Sequence, residues 1–109
     1  MILNVHIGEQ HYPVEVPDEL IRESEEFFAR MDKDMDRGYQ MSRTWVDNPD
    51  RLQRCQIAAD RMVTGMENGN ESLTIMMAAY ILNRMPEARA VYIDLEGDML
   101  QHRFETAPA

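Results

Sequence analysis

Residues 73–85 constrain this chain more than any other stretch, because they predict a helix that is apolar on nearly every face. Asn70 can cap the start of this helix and Pro86 follows its end. A helix that is apolar all round has to be covered all round. Because a chain of 109 residues has few other elements to cover it, we expect a second copy of the protein to pack on this helix.

Composition predicts a single folded domain over residues 1–105, with residues 106–109 as a frayed tail. The hydrophobic share of 44% and the charged share of 28% are those of an ordinary globular protein. The longest apolar run, residues 75–82, is far shorter than the roughly 20 residues that a membrane span needs. The N-terminus has no basic leader or cleavage site typical of a secretion signal, and one cysteine, Cys55, cannot form an internal disulfide. We therefore expect a cytoplasmic protein that does not bind membranes.

The net charge of −9 argues against a nucleic-acid partner, since phosphate binding needs a concentrated basic face. The acidity is uneven: residues 15–36 hold nine acids and three bases, whereas residues 37–66 hold five bases and three acids. The simplest interpretation of the acidic excess is solubility, and a basic protein partner or mimicry of nucleic-acid charge is the alternative.

Alternating apolar residues predict a β-hairpin at each end of the chain. Keeping the apolar side chains of the first hairpin on one face predicts a turn over residues 8–11 and three cross-strand pairs, Ile7–Tyr12, Val5–Val14 and Leu3–Val16. Pro13 suggests an edge strand. The second hairpin, with a two-residue turn at Gly97-Asp98, would form the pairs Leu95–Leu100, Ile93–His102 and Val91–Phe104.

Three helices are predicted between the hairpins. The first pattern runs from Asp18 to Trp45, about 42 Å if continuous, so this helix either breaks near Gly38 or projects onto a second subunit. The second starts with Asn48 as cap and Pro49 as its first residue, and ends at residues 68–69. Residues 73–85 form the third. The sequence thus predicts an α+β fold of order ββαααββ, with both hairpins in one antiparallel sheet packed on the helices.

Two possible metal sites have simpler interpretations. Residues 32–38 carry three aspartates at alternate positions, but Gly38 stands one place too late for a calcium loop and Arg43 occupies the position of its bidentate carboxylate. We predict a solvated acidic helix face.

The ten methionines include two i,i+4 pairs that could offer thioethers to copper(I), yet both pairs lie on apolar stripes, where methionine fills gaps. We predict core packing and no cofactor; any exposed methionines would suit an adaptable protein-binding surface.

Three residues could line a ligand pocket between the sheet and the helices: His102, Cys55 and Tyr80. Cys55 lies on the inward face of its helix, where a thiol is an inert hydrophobic group unless a base and partial exposure accompany it. His102 is placed on the apolar face of the sheet, so we expect it to bond a buried group or to act as a ligand or pH-sensitive contact. His6 would face solvent and His11 would lie in the turn.

A second group of residues is predicted to make protein contacts. Three arginines on one side of the second helix, Arg51, Arg54 and Arg61, could receive the acidic first helix of the same chain or of a partner, or else an anionic small molecule. The expected apolar contacts are Met76, Met77, Tyr80, Ile81 and Trp45.

Residues 3–31, a short hairpin that ends in Val-Pro and runs into a long amphipathic helix, resemble the start of ZapA-type cell-division proteins. That family binds the tubulin-like division protein and assembles through a C-terminal coiled coil. In this chain residues 73–85 are too apolar for a coiled coil and are followed by strands, so the resemblance covers only residues 3–31 and its function is not carried over.

The expected function is therefore non-enzymatic: a regulator, adaptor or accessory factor that forms a homodimer through its helices and binds a protein not identified by the sequence. The alternative is a small-molecule or metal-binding protein whose pocket lies between sheet and helices. No glycine-rich phosphate loop, nucleophile elbow or pair of catalytic carboxylates favours an enzyme.

Overall fold

Residues 1–107 are described by a computed structural model, and they form six strands and four α-helices. In chain order the elements are β1 (Ile2–Ile7), β2 (Gln10–Glu15), α1 (Asp18–Glu23), α2 (Glu25–Asp36), β3 (Tyr39–Met41), β4 (Thr44–Val46), α3 (Arg51–Glu67), α4 (Glu71–Arg84), β5 (Ala88–Ile93), a short 3₁₀ helix (Met99–Gln101) and β6 (Arg103–Thr106). No helix among these residues is both long enough and apolar enough to cross a membrane.

Both terminal hairpins join one sheet, which confirms the α+β class, but the sheet is mixed and not antiparallel throughout. Its strand order is β2-β1-β5-β6, and the two central strands, β1 and β5, run parallel. The outer pairs are antiparallel. The predicted all-antiparallel sheet is wrong because the two hairpins meet through β1 and β5, which the intervening helices bring back in the same direction. Pro13 lies on an edge strand, β2, as predicted.

The predicted register of the first hairpin is wrong by two residues. Val5 pairs with Tyr12 and Leu3 with Val14. The reason is the turn: Gly8 has a φ of +61°, so residues 8 and 9 close a tight two-residue turn in place of the expected four-residue one. A shift of two keeps the same side chains on the core face, so alternation alone could not detect it.

The second hairpin keeps one predicted pair, Val91 with Phe104, and loses the predicted turn. Residues 94–102 instead form a loop that contains the 3₁₀ helix. Leu95, predicted to pair with Leu100, is 70% exposed in that loop.

Thr106 belongs to β6, and the Ala107 N–H donates to the Glu87 carbonyl, so the predicted frayed tail does not begin at residue 106. Residues 108–109 of that prediction lie outside the described residues.

The long helix predicted from Asp18 to Trp45 breaks twice. Ser24 separates α1 from α2, and α2 ends at Asp36. Gly38 follows with a φ of +105°, a conformation that side-chain-bearing residues rarely adopt, and redirects the chain into the β3–β4 hairpin. Trp45 therefore lies on a strand and not on a helix face.

Local capping signals set the limits of α3 and α4. Asp50, and not the predicted Asn48, caps α3 through a reciprocal bond pair with Gln53. Asn68 ends α3, as predicted, and Gly69 follows with a φ of +67°. Asn70 caps α4 by accepting a hydrogen bond from the N–H of Leu73, also as predicted.

The apolar helix α4 is the centre of the helical layer, where it contacts α3, α1 and the sheet. Residues 77–82 are at most 1% exposed within the single chain, and residues 73–76 are only half-buried. The expectation that a second copy must cover this helix is therefore wrong for residues 77–82. The neighbouring helices cover α4 on one side, and the apolar face of the sheet covers it on the other. Self-association itself stays a prediction, without α4 as its reason.

Candidate functional site

The three residues expected to line one pocket do not converge. His102 is 3% exposed and sits beyond the carboxyl ends of β1 and β5, beside a cavity of about 260 Å³. Its Nδ1 accepts the Asp94 N–H at 2.9 Å, so the ring proton is assigned to Nε2, which lies 3.3 Å from Asp60 Oδ1. Both ring nitrogens are thus engaged within the chain, although their partners, the Asp94 N–H and the Asp60 carboxylate, are only partly buried and are not the fully buried group that was expected.

Cys55 and Tyr80 lie elsewhere, near Asp32 and Arg84 in the helical layer. Cys55 is fully buried, and burial raises the pKa of its thiol to about 12, so the reactive thiolate is disfavoured at neutral pH. Burial also raises the pKa of Tyr80, and its hydroxyl donates a hydrogen bond to Asp32. Neither group resembles an activated nucleophile or base.

Asp32 on α2 is the centre of a polar network that the sequence did not reveal. Its carboxylate accepts hydrogen bonds from Tyr80 and from two guanidinium nitrogens of Arg84, at 2.9 and 2.7 Å. Arg54 of α3 lies 3.4 Å from the other carboxylate oxygen. Burial by itself would raise the pKa of Asp32, but the bonds from Tyr80 and Arg84 outweigh it and hold the pKa below its usual value. The network joins α2, α3 and α4.

The three arginines of α3 have different environments. Arg54 pairs with Asp36 at 2.7 Å as well as with Asp32, so it contacts the acidic helix α2 of its own chain. Arg51 instead pairs with Glu87, which precedes β5. Arg61 is exposed and forms no ion pair with residues 1–107. They do not form one continuous basic surface.

The expected helix interface is buried for three of its members: Met77, Tyr80 and Ile81 are fully covered, and Met76 is half-buried. Packing within the chain therefore leaves Met77, Tyr80 and Ile81 inaccessible to a partner. Trp45 is the only predicted apolar contact that is exposed, at 56%.

Trp45 is exposed and also held in place. Its indole Nε1 donates to Asp47 Oδ1 at 2.7 Å. The indole ring lies against the backbone of Gly38, where a Cβ would stand only 2.5 Å from Trp45 Cζ2. Gly38 thus provides both the turn into the hairpin and the space for the ring. An exposed aromatic group fixed in this way loses little conformational entropy when a partner binds it.

The open face of the sheet carries a second unforeseen arrangement, one stacked row across all four strands. Ring centroids of His11 and His6 are 4.8 Å apart, those of His6 and Tyr92 are 4.5 Å apart, and Arg103 lies 4.6 Å from the Tyr92 ring. His6 and His11 are direct cross-strand partners, so the register error hid their contact. Because the ring faces cover one another, the row is best understood as cross-strand packing.

Metal-ligand side chains do not gather in the described part of the chain. No group of three or more histidine, cysteine, aspartate or glutamate residues within positions 1–107 could hold a metal ion. Three of the four paired methionines, Met31, Met35 and Met62, are buried in the core, and Met66 packs against it.

Two features of the structure lie in residues whose sequence pattern also fits a simpler interpretation. The break near Gly38 is one of the two outcomes that the sequence predicts, but the hairpin after it is not predicted, although a glycine followed by Tyr-Gln-Met and Thr-Trp-Val is typical of one. Asp32 was placed on a solvated acidic face, and nothing local distinguishes it from Asp34. No family model matches the sequence, and comparisons with curated proteins and with solved structures find no match either.

Proposed function

We propose that this protein acts by binding another protein through its β3–β4 hairpin, with Trp45 as the anchor, and not by catalysis. The observation that carries the proposal is Trp45 itself, more than half exposed yet fixed by Asp47 and Gly38. Tryptophan, tyrosine and arginine are enriched among the residues that dominate binding energy at protein interfaces. A regulator, adaptor or accessory factor would use such a site.

The charge around Trp45 indicates the kind of partner. We define the hairpin surface as the exposed residues Arg37, Gln40, Arg43, Thr44 and Trp45. Arg37 and Arg43 are the charged members of this surface, while Asp36 and Asp47 flank it and Asp94, Glu96 and Asp98 line a cavity beside Arg43 and Thr44. The proposed partner is a protein with an apolar pocket for the indole and an acidic group that meets Arg43, on a rim of otherwise mixed charge.

The candidate reactive groups support binding over catalysis, because each is engaged or suppressed. The Cys55 thiol is buried with a raised pKa, and both nitrogens of His102 are occupied. The pocket alternative also has little support, since His102 lies apart from Cys55 and Tyr80.

The test is a crosslinking experiment in extracts of the source cells, with a photoreactive residue in place of Thr44. We expect a crosslinked partner that Trp45→Ala reduces at least tenfold, as loss of an anchor worth about 2 kcal/mol requires. Tyr12→Ala is the matched control, because Tyr12 is also an exposed aromatic residue, 42% accessible, on a different strand. Arg43→Glu should weaken capture and reduce its salt dependence.

Circular dichroism and thermal unfolding show whether each variant keeps the fold. The proposal is contradicted if Trp45→Ala and Tyr12→Ala reduce the crosslinked partner equally. It is also contradicted if none of these substitutions changes the amount of partner captured.

A further inference from the structure

The two edges of the four-stranded sheet differ in how well they resist another strand. On β2, Pro13 has no N–H to donate, so this edge is interrupted at its centre. On the opposite edge, β6 contains no proline, and no strand within residues 1–107 pairs with its outer side. An unpaired edge of this kind is a template for a further strand.

An apolar groove runs beside the open edge, between β6 and the first turn of α3. Its volume is about 530 Å³, and its apolar lining is Leu52, Met85, Leu100 and Phe104. Leu52 is 48% exposed, an unusual state for a leucine beside a sheet edge. A strand added to β6 would direct its inward side chains toward this groove.

The sequence of β6 complements itself. Arg103 and Glu105 point to one face of the strand and Phe104 to the other, because side chains alternate. If two copies of β6 run antiparallel with Phe104 opposite Phe104, each Arg103 lies opposite a Glu105. Directly opposed, oppositely charged pairs stabilise antiparallel strands. Moving the axis by one residue would instead place Glu105 opposite Glu105.

We propose that two copies of this chain associate through β6, about a twofold axis at Phe104, and join their sheets into one. An antiparallel pair of identical strands satisfies the symmetry that a closed dimer requires. The two Phe104 rings and the exposed Leu52 side chains would then be buried at the grooves. This contact uses neither α4 nor Trp45, so it stands independently of the hairpin proposal.

Each strand in the proposed pair is only four residues long, so the test has to detect weak association. We therefore choose sedimentation velocity over concentrations from about 5 to about 500 µM. The wild-type mass should rise with concentration from 12.7 kDa toward twice that value. A mass that stays at the monomer value throughout overturns the proposal.

Charge reversal tests the register. Arg103→Glu alone places two acids opposite each other and Glu105→Arg alone places two bases opposite each other, so each variant should weaken dimerisation about tenfold. Mixing the two variants restores both attractive pairs, and the mixture should dimerise although its components do not. Glu15→Arg makes the same charge change on the blocked edge and should leave the dimer intact.

Thermal unfolding of each variant verifies that the monomer is still folded. A mixture that remains monomeric would contradict the proposed pairing. So would a dimer that Glu15→Arg disrupts as strongly as Glu105→Arg. Trp45→Ala should not change the dimer, which separates a failure of this proposal from a failure of the hairpin proposal.

Discussion

The hydroxyl of Tyr80, in the middle of α4, donates a hydrogen bond to the carboxylate of Asp32 on α2. Arg84, one turn further along α4, binds the other oxygen of the same carboxylate. The most apolar helix of the chain therefore directs two of its polar groups, Tyr80 and Arg84, to one partner. Packing of an apolar helix is non-directional, whereas these bonds fix its rotation and its position along the axis of α2.

Replacing Asp32 with asparagine should lower the free energy of unfolding by about 2 kcal/mol, since hydrogen bonds to a charged group are lost and Glu25 becomes the one ion-pair partner of Arg84 within residues 1–107. The Asp32 side chain is 25% exposed, so solvent compensates only in part. Urea unfolding measures the change. Asp34→Asn, on the same helix but exposed, is the control and should cost less than about 0.5 kcal/mol. Equal losses in both variants would show that Asp32 is not the centre of the network.

The Asp32 carboxylate should also make the free energy of unfolding depend on pH. Because the pKa of Asp32 is lower in the folded chain than the unfolded value of about 3.9, its contribution is complete above that value and is lost as the pH falls through the folded pKa. The difference in unfolding free energy between wild type and Asp32→Asn should stay constant from about pH 7 to 5 and shrink below about pH 4. Urea titrations at several pH values measure it, and other acids cancel in the difference. A difference that persists undiminished at about pH 2 contradicts the assignment.

The fold class could be predicted because periodicity reports which side of an element is buried. Alternation located both terminal hairpins, and the capping residue Asn70 located the start of α4. Periodicity does not report which strands become neighbours, so the parallel pairing of β1 with β5 was missed. It also cannot distinguish registers that differ by two, which is why the contact between His6 and His11 was not foreseen.

The polar network around Asp32 was harder to predict, because its residues meet through contacts distant in sequence. Asp32 meets Tyr80 across 48 positions, and its neighbours in the chain do not distinguish it from a solvated aspartate. The apolarity of residues 73–85 was correctly recognised, but it could be satisfied by the chain's own helices as well as by a second copy. Sequence gives the amount of apolar surface and not the identity of what covers it.

Replacing Gly38 with alanine should disturb Trp45 directly. The added Cβ would lie 2.5 Å from the ring, and a φ of +105° is itself unfavourable for alanine. We expect a loss of about 2–3 kcal/mol and a red-shifted emission from the only tryptophan. Gly97→Ala is the matched control, because Gly97 has a φ of +80° but no atom within 4 Å of the added Cβ. It should lose only about 1 kcal/mol and leave the emission unchanged. Identical spectra for both variants would mean that the ring does not rest on Gly38.

Cys55 should react with thiol reagents only when the helical layer opens. Burial raises the pKa of its thiol to about 12, and the thiolate is the reactive form, so both access and ionisation oppose labelling in the native state. At about pH 8 we expect slow modification that accelerates in urea, and Asp32→Asn should accelerate it by loosening the packing around α3. Leu52→Cys in a Cys55→Ala background is the control, because Leu52 is exposed on the same helix and a thiol there should react at once. Native Cys55 reacting as fast as that control would show that α3 does not seal this thiol from solvent.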